Sequence, residues 1–555
     1  MKFFSKVGRR LGAFLGQGTA QPSLSKIIPA EYEAFLQEAL RLTKESGVNS
    51  SVVYPFLTRQ QDKLNEDLID LIPTFATSNN IVDLFNFANL VQQFPLGQRA
   101  VNLEIAIAIY TKALDFFDRQ NDASAWAMTQ MNLGNAYRSR IRGERGENLE
   151  QAIRCYEAAL TVYTPTAFPE DWARTQNNLG IAYSNRIRGE RGENLEQAIR
   201  CHEAALTVYT PTAYPEQWAG TQICLGNAYS DRIRGERGEN LEQAIRCYEA
   251  ALTVRTPTAF PEDWARTQMN LGNAYGKRIR GERGENLEQA IRCYEAALTV
   301  YTPTAFPEQW AMTQMNLGNA YKTRIRGERG ENLEQAIRCY EAALTLYTPT
   351  AFPEQWATTQ NNLGNAYEEQ GQVAAAIRCY RAALEIRTPS SFPLDCLQTG
   401  RNLGNFAYNR QDWENAIHGY DNAIRAIEQS RNWATNPQTK QQLLEEALPL
   451  YGNMIEACLH LERYEQALLT VERSKARTFI ELLHNANRLP QNATPAQIQQ
   501  YEQLNREIAA LQYALDDQPP TEPPNPQPGQ RSLNLPPTSP QTNPLLTLIQ
   551  QRQAL

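Results

Sequence analysis

An internal repeat of 46 residues is the feature that most constrains the fold of this chain. The string RIRGERGENLEQAIRCYEAAL starts at Arg140 and returns four times with at most one substitution. Six tryptophans, from Trp126 to Trp356, keep the same spacing. A unit of this length is a supersecondary element that cannot bury its apolar face alone, so successive copies must stack. The repeat therefore predicts one elongated array with a shared core rather than several independent domains.

Each repeat predicts a pair of helices, illustrated by the unit at 169–214. Apolar residues at helical spacing from Trp172 to Ile187 predict a first helix, which we call helix A. A segment with two glycines follows, and Asn194 has the character of an N-cap for a second helix, which we call helix B. Helix B has a broad apolar face between Leu195 and Tyr209. Two packed helices per repeat predict an all-α protein.

The residues of these helices resemble the tetratricopeptide repeat. The motif LGIAY at 179–183 on helix A, with Ala198, His202 and Ala205 on helix B, follows the pattern of that family. The chain departs from the pattern at Gln176, which occupies the usual tryptophan position, and in its longer repeat unit. The resemblance implies a right-handed superhelical solenoid whose helices A line a concave, peptide-binding groove.

The rest of the chain divides around this array. We expect about nine helix pairs between residues 80 and 484. Flanking segments are a basic N-terminal part (1–23), a helical cap (24–79), a helical linker (485–518), a proline-rich disordered linker (519–544) and the start of a C-terminal helix that the chain does not complete (545–555). The first 15 residues have an amphipathic pattern that would suit a membrane surface, but we favour a frayed or docked terminus.

Comparison of the copies with one another predicts the binding site. Asparagine recurs nine residues after the tryptophan in five of six copies, while nearby positions on the same face of helix A vary. A row of asparagines can hydrogen-bond an extended backbone, and the variable neighbours can select its side chains. The alternative is that these are exposed positions that drifted after duplication. The predicted groove residues are Asn135, Asn177, Asn227, Asn273, Asn319, Asn365, Arg174, Arg266, Lys277 and Lys322.

Charge argues against nucleic acid as a partner. The net charge is −7, whereas a nucleic-acid-binding protein needs a basic stripe. The arginines of each RGERGEN turn alternate with glutamates, so each copy is neutral. We therefore expect an Arg–Glu ladder along one edge of the array, whose exposed pairs contribute a few tenths of a kcal/mol each.

The sequence offers no constellation for catalysis, for a metal or for a cofactor. It contains four histidines, of which His202 replaces a tyrosine of the sister repeats and is expected to be packed in the core. Five cysteines recur at the repeat spacing, too far apart for disulfides, and predict buried thiols in a reducing compartment, the cytoplasm. We predict a non-enzymatic scaffold for a protein or peptide, with no small-molecule ligand.

A second resemblance suggests where such an array is used. The segments RIRGER, TPTAFPEQW and ALLTVERSKARTFIELL resemble cyanobacterial-type proteins in which tetratricopeptide repeats are fused to a CHAT domain, a caspase-like cysteine peptidase. Such a domain needs a His–Cys pair, and neither residue occurs after His484. The resemblance implies a sensor or regulatory arm. The alternative is that this chain is the N-terminal part of a CHAT-type peptidase.

Overall fold

The structure is a computed structural model that describes residues 30–434 and 436–485, together with positions 499, 503 and 507. Within these residues the chain forms helices and turns, and no strand occurs. The expected all-α repeat fold is therefore confirmed. The predicted segments 1–23, 519–544 and 545–555 lie outside the described residues, as does nearly all of the predicted linker 485–518.

The described chain contains 21 α-helices and divides after Arg387 into two compact units. The first unit contains α1 (Ala30–Glu45), α2 (Ser50–Arg59), a short 3-10 helix (Gln61–Lys63), α3 (Glu66–Phe75), α4 (Ile81–Gln93), α5 (Arg99–Ala113), α6 (Ala123–Ser139), α7 (Arg145–Leu160), α8 (Pro169–Ser184), α9 (Arg191–Leu206), α10 (Pro215–Asp231), α11 (Arg237–Leu252), α12 (Pro261–Lys277), α13 (Arg283–Leu298), α14 (Pro307–Thr323), α15 (Arg329–Leu344), α16 (Pro353–Glu369) and α17 (Val373–Ile386). The second unit contains α18 (Pro393–Tyr408), α19 (Trp413–Trp433), α20 (Pro437–His460) and α21 (Tyr464–Asn485).

Helices α4 to α21 form nine consecutive pairs, and in each repeat the first helix is helix A and the second is helix B. Each helix A packs on its own helix B. In the first unit, helices A from α6 to α16 also pack on the preceding helix B, and consecutive helices A from α4 to α16 contact each other. Ahead of them, α1 packs against α2, α3 and α4. Their buried residues, among them Leu36, Leu57 and Leu68, join the core of the first pair.

A glycine on helix A lets the two helices of a pair approach closely. A Cβ atom added at Gly226 would lie 2.7 Å from Cε1 of Tyr248, closer than real contacts allow. Tyr248 is buried across this contact. The same close approach recurs in the other repeats, which explains the Leu-Gly pair in the repeated motif.

The turn between helices A and B differs from the prediction in two ways. Helix α9 starts at Arg191, so Asn194 is not an N-cap and lies buried inside the first turn. Its Nδ2 atom donates to the carbonyl of Arg188 at 2.9 Å, which braces the preceding loop, where Gly189 adopts a φ of +80°. Ile187, expected on the packed face of helix A, lies in this loop with 64% of its surface exposed.

Arginine–glutamate pairs join successive repeats. Arg232 donates from Nε and Nη2 to the carboxylate of Glu196 in the preceding helix B, at 2.8 and 2.9 Å. The Glu196 side chain is 12% exposed, and its pKa is held below the ordinary value chiefly by hydrogen bonding from Arg232. The expected ladder is confirmed, and its bidentate links connect neighbouring repeats. The equivalent pairs are Arg140–Glu104, Arg186–Glu150, Arg278–Glu242 and Arg324–Glu288.

Candidate functional site

The recurrent asparagines of helix A hold the array together through their side-chain oxygens. Oδ1 of Asn227 accepts a hydrogen bond from Tyr248 of its own repeat at 2.8 Å. It also accepts from Nδ2 of Asn270, on the next helix A, at 3.0 Å. The tyrosine bond has the same length at Asn135, Asn273 and Asn319. We call this repeated set of three side chains the asparagine ladder.

The second asparagine of the ladder, six residues after each tryptophan, was missed by sequence reasoning. Its members on the ladder are Asn132, Asn178, Asn270, Asn316 and Asn362. The ladder begins at Asn89 on α4, whose oxygen accepts from Tyr110 at 2.6 Å and from Asn132 at 2.9 Å. The recurrence of this second asparagine was the signal in the sequence, but recurrence alone does not distinguish a ligand contact from an internal one.

The ladder leaves the amide nitrogens of the predicted row unused. Among the described residues, Nδ2 of Asn135, Asn227, Asn273 and Asn319 has no hydrogen-bond acceptor. Asn227 is exposed, and the other three are half-buried. Because each oxygen is fixed by two donors, each amide group has a set orientation. The row therefore presents donors at the same position of four repeats.

The two remaining asparagines of the predicted site differ from this pattern. Oδ1 of Asn365 accepts a hydrogen bond from Tyr380 at 2.7 Å, as in the regular repeats. Asn177 lies one turn earlier on its helix, and its Oδ1 contacts Nδ1 of His202 at 2.9 Å. His202 occupies the position of the ladder tyrosine, so Asn177 substitutes there for the usual asparagine.

The four predicted cations have different surroundings. Arg174 is exposed and pairs with Asp171, and Arg266 pairs in the same way with Asp263. Nζ of Lys322 lies 3.6 Å from a carboxylate oxygen of Glu369.

Lys277 is exposed and has no acidic partner among the described residues. It is therefore the predicted cation with uncompensated charge, at the end of helix α12.

The ladder is interrupted between α8 and α10. The row asparagine is replaced by Ile181, the tyrosine by His202 and the second asparagine by Cys224. These residues line an open cleft of about 430 Å³, together with Asn227, Lys277 and other polar side chains. Burial lowers the pKa of His202 to about 4 and raises the pKa of Cys224 to about 11. Both side chains are thus uncharged near neutral pH.

Within residues 30–434 and 436–485, no group of three or more His, Cys, Asp or Glu side chains has the arrangement of a metal site. In the same part of the chain, no helix combines the length and apolar character needed to cross a bilayer. All nine cysteines are free, and the five regular ones are buried, as predicted.

Two protein families match the sequence. The tetratricopeptide repeat matches residues 126–160 and 172–206, and the soluble NSF attachment protein, SNAP, matches residues 304–509. The chain therefore contains tetratricopeptide repeats, as its residues predicted. No curated protein sequence matches it.

Several solved structures are similar in arrangement. The Rap protein complexed with competence and sporulation factor is 13% identical over 63% of this chain and 97% of its own, with a TM-score of 0.37. The signal transduction ATPase PH0952 from Pyrococcus horikoshii, with a tetratricopeptide repeat sensor, is 12% identical over 83% and 65%, with a TM-score of 0.40. Yeast Tom70 is 13% identical over 81% and 96%, with a TM-score of 0.33. These values are too low to transfer a function to this chain.

Proposed function

We propose that this chain, with its tetratricopeptide repeats, is a non-enzymatic scaffold that binds an extended segment of a partner protein along its helices A. The row of oriented amide donors on Asn135, Asn227, Asn273 and Asn319 carries the proposal. Carbonyl oxygens are the one acceptor that every peptide segment presents at regular intervals. The direct contacts between consecutive helices A support a groove on this side of the first unit.

The spacing of the donors suits an extended peptide. Packed helices lie about 8–10 Å apart. A segment in polyproline II conformation advances about 3.1 Å per residue and repeats its orientation every three residues, or about 9 Å. One carbonyl in three can thus meet one asparagine per repeat. Variable neighbours such as Arg174, Arg266, Lys277 and Lys322 would then select among side chains of the segment.

The test has to remove the donors without breaking the ladder. Replacing Asn227, Asn273 and Asn319 by Ala would remove the oxygens that accept from the tyrosines, so lost binding would not be distinguishable from lost structure. Replacing all three by Asp keeps an oxygen acceptor in place and turns each donor into an acceptor. We expect the Asp variant to lose at least tenfold in affinity for peptides selected on the intact chain, with helicity unchanged.

The peptides come from a random dodecapeptide library displayed on phage, and affinities are measured by fluorescence anisotropy. A matched control adds the same three charges at Thr212, Thr258 and Thr304, exposed residues of the links between repeats. Equal peptide affinity of the Asp variant and the control would contradict the proposal. Failure to enrich any peptide on the intact chain would contradict it as well.

We also propose that the array acts as a sensor or regulatory arm in the cytoplasm, on the basis of its resemblance to CHAT-associated arrays. Ligand binding would order the stacked repeats and so change how the chain presents its other surfaces. The expected sign is a change in limited proteolysis when a selected peptide binds. A proteolysis pattern that stays the same with saturating peptide would refute this role.

A further inference from the structure

The interruption of the asparagine ladder is concentrated at one junction. Five of the six junctions between helices A of the first unit keep both asparagines and the tyrosine. They are the junctions that follow Asn89, Asn135, Asn227, Asn273 and Asn319. At the junction of α8 with α10, all three positions differ together. Independent drift would scatter such changes over the six junctions, but here they coincide in space. Their combined effect is to remove one hydroxyl and two carboxamides from a single place, where Asn177 restores one carboxamide oxygen beside His202.

His202 makes this place chemically distinct from the other junctions. Oδ1 of Asn177 can only accept, so Nδ1 of His202 donates the hydrogen bond between them. The buried imidazole is neutral, and its Nε2 atom is therefore a bare acceptor. His202 is 0% exposed, and Nε2 has no hydrogen-bond partner among the described residues. In the regular repeats the tyrosine hydroxyl donates at this point, so the polarity is reversed.

Two residues that line the cleft at this junction have an unused polar atom. His202 has the buried acceptor Nε2, and Asn227 has the donor Nδ2. Ile181 and Cys224 provide the apolar part of the lining, and neither carries a charge near neutral pH. A planar group with one N–H donor and one carbonyl acceptor complements this pair, and a carboxamide is such a group.

The residues around the cleft exclude a charged side chain as its ligand. A carboxylate has no proton to donate to Nε2. A cationic side chain would meet Arg191 and Lys277, and the acidic lining residue Asp231 already lies 3.6 Å from Arg191. Lys277, which has no acidic partner among the described residues, instead favours an acidic residue elsewhere in a bound segment.

We propose that this cleft is a specificity pocket for a neutral carboxamide side chain, Asn or Gln, of the segment bound along helices A. The incoming carboxamide takes the place of the row asparagine that the chain lacks at Ile181, donating to His202 and accepting from Asn227. This inference rests on the proposed peptide-binding function, and it adds a selective position to a groove that otherwise contacts the backbone.

The experiment compares the natural junction with a regular one. The triple variant Ile181→Asn, His202→Tyr, Cys224→Asn installs the side chains that the regular junctions carry, so it is expected to fold. Random dodecapeptides on phage are selected on the natural chain, and each enriched peptide is tested with its carboxamide residue changed to Glu or Ala. We expect a recurrent Asn or Gln, a loss of at least tenfold on either change, and the same loss for the unchanged peptide on the triple variant.

A second readout does not depend on any variant folding. In the chain labelled with ¹⁵N-histidine, we expect Nε2 of His202 to give the signal of an unprotonated nitrogen. We expect it to shift upfield when a selected peptide binds, because it gains a donor. A peptide with Glu in place of the carboxamide should leave that signal unmoved.

The outcomes separate this inference from the proposed function. Enriched peptides that bind the natural chain and the triple variant equally, or that share no carboxamide, overturn the pocket and leave the groove standing. A ¹⁵N signal unmoved by a tightly bound peptide overturns the pocket in the same way. If no peptide is enriched on the natural chain, both the groove and the pocket are refuted.

Discussion

The two polar atoms of one asparagine side chain have different roles in this protein. Asn273 uses its oxygen for Tyr294 and Asn316, at 2.8 and 3.2 Å, and keeps its nitrogen free. The oxygen explains why asparagine recurs in the repeat, because it satisfies two donors of different helices. The nitrogen is the part that the proposed ligand would use. A recurrent polar residue on a helix face is therefore not by itself a binding residue.

The structural role of Asn273 predicts that Asn273→Ala lowers the stability of the chain. Loss of Oδ1 leaves the Tyr294 hydroxyl, on a residue 4% exposed, without its acceptor, so the free energy of unfolding should fall by about 1–3 kcal/mol. Asn273→Asp, which keeps the acceptor, should cost less. Urea denaturation followed by circular dichroism measures both. Lys277→Ala, on the same helix but exposed, is the control and should change stability by about 0.5 kcal/mol or less. If the two Ala variants are equally stable, the ladder does not stabilise the array.

His202 predicts a pH dependence of stability. Burial lowers its pKa from 6.5 to about 4, so between these values the unfolded chain binds a proton that the folded chain does not. Its contribution to stability is fully present above pH 6.5 and is lost as the pH falls towards 4. The contribution of His202 to the free energy of unfolding should drop by about 2 kcal/mol between pH 7.5 and 5.

Urea denaturation at several pH values measures this slope, with His202→Gln as the control. All other titratable groups are common to the two proteins, so the difference between their pH slopes isolates His202. A variant with the same pH slope as the natural chain would show that His202 is accessible to protons in the folded state.

At the level of helices, the links between repeats are polar as well as apolar. Arg232 connects the end of α10 to Glu196 on α9 through two hydrogen bonds, on side chains that are largely shielded from water. Arg246 and Glu239 form a pair of similar length, 3.0 Å, within the exposed surface of α11. The two arginines thus form a matched comparison between a link that joins repeats and one that does not.

We expect Arg232→Ala to lower the free energy of unfolding by about 1–3 kcal/mol, because it leaves the shielded Glu196 carboxylate without its charged donors. Arg246→Ala should cost about 0.5 kcal/mol or less, since exposed ion pairs are offset by side-chain entropy and screened by salt. Thermal and urea unfolding of both variants measure the difference. Equal losses would mean that the bidentate links do not hold the repeats together.

The sequence predicted the helices better than it predicted their contacts. Helix pairs follow from the period and from apolar residues such as Leu195 and Tyr209, which are buried as expected. The start of helix B was wrong by four residues, because Asn194 resembles a cap but hydrogen-bonds a loop from inside the helix. The ladder could have been inferred from the joint change of Ile181, His202 and Cys224. Seeing that it is internal required the distances between repeats.

For the first unit as a whole, stability is expected to vary along the array. In stacked repeats each unit contacts only its neighbours, so the free energy is close to a sum of local terms and junction terms. The junction of α8 with α10 lacks the asparagine and tyrosine hydrogen bonds that the other junctions have. This junction should therefore open before the others.

Hydrogen exchange followed by mass spectrometry tests this expectation with an internal control. Helix α9 differs in sequence from α7, α11, α13 and α15 only at His202, so the intrinsic exchange rates of the five helices are nearly equal. The peptide of α9 can be followed separately because its mass differs from the shared mass of the other four peptides. The loss of a neutral hydrogen bond, about 1 kcal/mol, predicts exchange in α9 about fivefold faster than in the pooled sister helices. In the triple variant Ile181→Asn, His202→Tyr, Cys224→Asn, the peptide of α10, whose sequence remains unique, should become more protected than in the natural chain. Equal protection of α9 and its sisters would mean that junction stability does not depend on the ladder, and that apolar packing alone keeps the repeats stacked.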